Sequence, residues 1–153
     1  MKRASAEYHL TIDELAYIAG FIDGEGCISL HSIRHVRGSR TTVSPRLIIV
    51  NTHKGVIDYL AEKLNTTIYA RPSCGNAKGT FRMSVQGKKR LIPLLHLLLP
   101  YLIVKKLQAE LIIEWADGRD ESGRFSTRDK WYVEMSHYLN RRGVKSIYTS
   151  PET

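Results

Sequence analysis

Thr11, followed three residues later by Glu14, marks a helix start, and Leu10 and Leu15 are placed to clamp it. Leu15, Ile18, Ala19 and Ile22 then recur at helical spacing, and Gly24 and Gly26 mark the helix end. Over residues 27–36 the period changes to two. Ile28 and Leu30 alternate with Ser29 and His31, which predicts a strand. A turn at residues 37–40 leads to a second strand over residues 41–51, where Val43, Leu47 and Ile49 alternate with Thr42, Ser44 and Arg46. Residues 56–64 return to helical spacing. Strands are predicted at 66–71 and 79–86, separated by a turn rich in Pro, Gly, Ser and Asn. Helices are predicted at 88–99, despite Pro93, then at 103–117 and 127–140, with a basic tail at 141–153.

The order α-ββ-α-ββ-α, with further helices after it, predicts an α+β domain. Four antiparallel strands with one apolar face would pack against the helices. The 153 residues form a single domain, with its core at about residues 11–140. The opposite sheet face would carry Ser29, His31, His35, Thr42, Ser44, Arg46, Tyr69, Arg71, Thr80, Arg82 and Ser84, with Ile33 and Ile48 in phase and Arg37 and Arg40 at the turn.

Charge sharpens this picture. The formal net charge is +8. No Asp or Glu occurs from Gly26 to Ile57, whereas Arg34, Arg37, Arg40, Arg46 and Lys54 do. From Lys63 to Ala109 acids are again absent while Lys and Arg recur. A surface built from these segments attracts polyanions, nucleic acid first among them. A twisted ribbon of such side chains suits the major groove. No apolar run reaches a membrane span, and no signal-peptide core follows residues 1–5, so an intracellular, non-secreted protein is expected. Cys27 and Cys74 form no zinc pattern.

Two features of residues 18–26 point to chemistry. Gly20 sits inside a helix, where glycine costs about 0.8–1 kcal/mol, so something must come close to the backbone. Glu25 stands at a helix C-terminus, where the dipole favours cations, and a bound metal would resolve the mismatch.

The segment IAGFIDGEG, residues 18–26, resembles the LAGLIDADG motif of homing endonucleases. The element order agrees with it, as does Pro100-Tyr101-Leu102 followed by Lys105-Lys106-Leu107-Gln108-Ala109. The resemblance implies the αββαββα LAGLIDADG endonuclease fold, its curved sheet forming a saddle on DNA. It implies that Glu25 and the Gly24 carbonyl bind Mg²⁺, with Mn²⁺ able to substitute and Ca²⁺ binding without supporting cleavage. Lys105 would stabilise charge at the scissile phosphate, with Lys106 as the alternative, and Asn51 would hold metal-bound water. With one motif copy, the resemblance implies a homodimer through Ile18, Ala19, Gly20, Ile22 and Asp23, with Asp23 also capping locally. The expected activity is a double-strand cut in a long, near-palindromic DNA target. Arg141, Arg142 and Lys145 would grip phosphates. The alternatives are an intron RNA splicing helper of the same fold and a DNA-binding regulator that does not cut.

Overall fold

The computed structural model describes residues 6–36, 40–118 and 124–142. The elements are α1 (Ile12–Glu25), β1 (Gly26–Arg34), β2 (Thr41–Asn51), α2 (Lys54–Lys63), β3 (Ile68–Arg71), β4 (Thr80–Gln86), α3 (Lys88–Leu98), α4 (Lys106–Asp117) and α5 (Thr127–Arg142). The four strands form one antiparallel sheet in the order β1-β2-β4-β3. The α+β class and the αββαββα order are as expected.

Local chemistry sets the boundaries. The capping box closes on itself: the Glu14 N–H donates to Thr11 Oγ1 (3.2 Å) and the Thr11 N–H donates to Glu14 Oε2 (2.9 Å). Leu15, Ile18, Ala19 and Ile22 turn inward onto the sheet face made by Ile28, Leu30, Val43, Leu47, Ile49, Met83 and Val85. Gly26 ends α1 and starts β1 without a linker. A Cβ there would lie 2.9 Å from the Ile22 carbonyl oxygen, so only glycine lets the chain leave this close to the last turn.

Pro93 lies inside α3 and has no N–H for the carbonyl four residues back, that of Lys89. The Ala6 N–H donates to that carbonyl at 3.0 Å, and Tyr8 Oη donates to the Arg90 carbonyl at 2.8 Å. The break in α3 thereby fastens the segment that leads into α1.

β1 is an edge strand, and α5 covers it. Ser136 Oγ accepts the Leu30 N–H (3.0 Å), and Asn140 Nδ2 donates to the Ile28 carbonyl (2.8 Å). Two otherwise open edge groups are satisfied in this way, which blocks pairing with another strand. α5 is held in turn by Asp129, buried at 2% exposure, which accepts the Trp115 indole N–H at 2.8 Å. The helix runs to Arg142, so Arg141 lies on α5 and not in a tail beyond it. No helix among the described residues is long and apolar enough to cross a membrane.

Candidate functional site

The C-terminal end of α1 is where the chemistry gathers. A helix end leaves its last carbonyls without intrahelical partners. Here the Gly26 N–H satisfies Ile22, and Lys105 Nζ donates to the Asp23 carbonyl at 3.0 Å. The Gly24 carbonyl accepts no hydrogen bond among the described residues. Gly24 and Glu25 are both exposed. Asp23 reaches the other way. Its carboxylate accepts the Ile103 N–H (2.8 Å) and the Lys105 N–H (2.9 Å), bonds that span some eighty residues of sequence. Asp23 thus tethers the start of α4 to the end of α1, and Lys105 supplies the cation that this helix terminus lacks in its own sequence. Lys105 makes this contact, and the neighbouring Lys106 is exposed.

The outward face of α1 differs from expectation. Ile18, Ala19 and Ile22 are 0% exposed and belong to the chain's own core, and Asp23 is occupied by the α4 start. None of the four presents itself to a partner helix. Only Gly20 of the expected set faces out, and Ala16, Tyr17 and Gly24 share its exposed side. Helical periodicity sends Ile18, Ala19 and Ile22 inward and leaves Gly20 and Gly24 outside. A Cβ at Gly20 or Gly24 would meet nothing within 4 Å, so no contact within the described chain explains either glycine.

The polar sheet face forms as the alternation predicts. Ser29 lies opposite Arg46, His31 opposite Ser44 and Ile33 opposite Thr42. Ile48 lies opposite Ser84, Val50 and Tyr69 flank Arg82, and Arg71 faces Thr80. None of the four strands contains an Asp or Glu. Ile33, Val50 and Tyr69 are exposed among the polar groups. β1 ends at Arg34, so His35 follows the strand. His35 Nε2 pairs with Thr42 Oγ1 at 3.0 Å, and the His35 N–H donates to the Arg40 carbonyl. Arg37 and Lys145 lie outside the described residues. Arg142 ends α5.

Burial, together with the Arg46 guanidinium and His137, pushes the His31 pKa below its ordinary value of 6.5. His31 Nδ1 and Arg46 Nε are buried without a hydrogen-bond partner.

Asn51 stands at the end of the second strand, as expected. It ends β2 on the parity of Leu47 and Ile49, so Val50, and not Asn51, shares the face of Arg46 and Arg82. Its Oδ1 accepts the His53 N–H at 2.8 Å in the turn into α2. Among the described residues no hydrogen bond joins it to Asp23 or Lys105. Sequence reasoning also missed Val50, Gln86 and His137. The first two follow from strict alternation, but His137 depends on where α5 docks, which no local pattern reveals.

Gly24 and Glu25 are exposed at a helix end, Lys105 is held on the adjoining Asp23 carbonyl, and the strands of the sheet carry no acid. The LAGLIDADG endonuclease family model matches residues 18–114, more than half of the chain, and the chain belongs to that family. The homing endonuclease I-CvuI, solved in complex with its target in the presence of 2 mM Ca, is 21% identical over 91% of this chain and 83% of that chain, with a TM-score of 0.60. The archaeal intron-encoded homing endonuclease I-Vdi141I, complexed with DNA, is 19% identical over 84% of this chain and 98% of that one, with a TM-score of 0.56. The meganuclease I-SmaMI, bound to uncleaveable DNA, is 14% identical over 87% of this chain but only 46% of that one, with a TM-score of 0.61. At these identities the likeness is one of fold. Comparison with curated proteins gave no match.

Proposed function

We propose that the chain is a site-specific DNA endonuclease that works as a homodimer and uses a divalent metal to hydrolyse one phosphodiester in each strand. The observation that carries this reading is exposed Glu25 near the Asp23 carbonyl that holds Lys105, at the end of a helix whose exposed side carries Gly20 and Gly24. Related structures named as homing endonucleases with DNA support the substrate class.

The donor set fits Mg²⁺. This ion takes hard oxygen ligands and is commonly held by one or two carboxylates plus substrate phosphate. Among the described residues there is no cluster of three or more His, Cys, Asp or Glu. Glu25 and the Gly24 carbonyl are one chain's contribution, and a second copy and the DNA phosphates would supply the rest. When bound, the metal supplies Lewis-acid activation of water and charge neutralisation at phosphorus. Lys105 adds a fixed positive charge toward the scissile phosphate, and Asp23 fixes where that charge stands.

Two observations support the dimer. Among the described residues nothing lies within 4 Å of a Cβ at Gly20 or Gly24, and a second α1 packed across them would give both glycines a reason. The chain also spans about half of I-SmaMI. Two-fold symmetry then makes the target near-palindromic. The sheet faces would read base edges through Arg46, Arg71 and Arg82, with Ile33 and Val50 suited to thymine methyls.

The test is incubation of a randomised duplex library with Mg²⁺ and, separately, with Ca²⁺. The proposal expects paired cuts in one enriched, near-symmetric sequence with Mg²⁺ and binding alone with Ca²⁺. Tight RNA binding with no cut duplex would favour the splicing helper, and duplex binding with no cut in either ion would favour the regulator.

A further inference from the structure

Where α5 crosses the edge of the sheet, a cleft of about 420 Å³ opens between Cys27 and Ser29 on one wall and His137, Asn140 and Arg141 on the other. No acid lines it. Ser29 is 7% exposed, and its hydroxyl makes no hydrogen bond within the described chain. Ser29's partner across the sheet, Arg46, has a buried Nε–H that also lacks an acceptor. Asn140 is anchored through its amide to the Ile28 carbonyl, which fixes the helix wall against the strand wall. The cleft thus gathers the Ser29 hydroxyl, the His137 imidazole and the Arg141 guanidinium, and no carboxylate stands against them.

We infer that this cleft is a phosphodiester-binding subsite, seating one backbone phosphate of the DNA strand close to the cut. The inference rests on the endonuclease reading above and deepens it. A phosphate offers anionic oxygens that only accept hydrogen bonds, which is what Ser29, His137 and Arg141 lack. Position favours the backbone over a base edge. The cleft lies at the flank of the sheet, beyond its edge strand, whereas groove edges meet the middle of the face. Cys27 follows Glu25 by two residues across the junction of α1 and β1, so the cleft mouth lies within about 7 Å of chain from the metal ligand. The phosphate it seats is therefore a near neighbour of the scissile one, which Ser29 and His137 would hold in register. The expected tail contact at Arg141 thereby becomes a built site on a rigid helix.

The experiment is a scan of single neutral methylphosphonates along one half-site of the selected target, with the Kd measured for wild type, Ser29→Ala and His137→Ala. Wild type should lose about tenfold at one phosphate next to the cut, as for one hydrogen bond to a charged group. His137→Ala should lose about as much on unmodified DNA and lose nothing more at that same phosphate. Losses that multiply at every phosphate, or wild-type binding by both variants, would overturn the subsite. If no duplex is selected, the endonuclease reading fails separately. The cleft is then judged on random-sequence duplex. There Arg141→Gln should reduce the salt slope by about 0.9 per chain, and an unchanged slope overturns it.

Discussion

Gly20→Leu separates a dimer from a lone chain by the sign of its effect. Within one chain, a Cβ at Gly20 meets nothing within 4 Å among the described residues, so a side chain can start there without displacing a neighbour. Leucine also favours the helix over glycine by nearly as much as alanine does, about 0.8 kcal/mol. A solitary chain should therefore become more stable. If two α1 helices cross at this face, the outcome reverses. Overpacking a tight contact costs about 1–3 kcal/mol, and the two-fold axis brings two leucines to the same place. The combined penalty of about 2–6 kcal/mol weakens dimerisation by roughly 30-fold to more than 10⁴-fold. Sedimentation equilibrium of wild type and variant reads the association, and urea unfolding of the separated chain reads the helix gain. The expected result is a dimeric wild type and a monomeric, folded variant that no longer makes double-strand cuts. A variant that gains about 0.8 kcal/mol and keeps its assembly and activity would refute the helix-to-helix contact.

Asp23→Ala should slow cleavage while leaving DNA affinity nearly unchanged, because the Ile103 and Lys105 N–H groups lose their acceptor and Lys105 loses its fixed place; single-turnover rates beside gel shifts test this, and an unaltered rate would exclude the positioning role. Arg82→Ala should relax preference at one base pair in each half-site by about 1–3 kcal/mol, as read by titration against single-base target variants, whereas a uniform loss would make Arg82 a phosphate contact. His31 has a lowered pKa in the folded chain, so the unfolded chain binds the proton first as the pH falls through 6.5. The folded state should thus be more stable above that pH and lose stability below it; Tm measured at pH 7.5 and 5.5 should drop less in His31→Gln than in wild type, and equal drops would remove His31 from the account.

Periodicity carried most of the fold. The capping box, the alternation in β1, β2 and β4 and the change of period between them are local properties, and they reappear at their expected residues. The polar face was legible for the same reason, since a period of two decides both faces at once. Contacts distant in sequence were not legible. Nothing near Asp23 indicates that it binds backbone beyond residue 100, or that Ser136 and Asn140 close the edge of β1. The inward turn of Ile18, Ala19 and Ile22 follows from their helical spacing.

Glu25 is the residue on which the catalytic reading stands, and replacing it by Gln keeps shape while removing the charged metal ligand. With the selected duplex, wild type and Glu25→Gln would be assayed together for binding in Ca²⁺ and for cutting in Mg²⁺. The predicted result is binding within about tenfold of wild type, since the phosphate contacts are intact, and no cutting of either strand. Cutting by Glu25→Gln at the wild-type rate would contradict the assignment of the end of α1 as the catalytic centre.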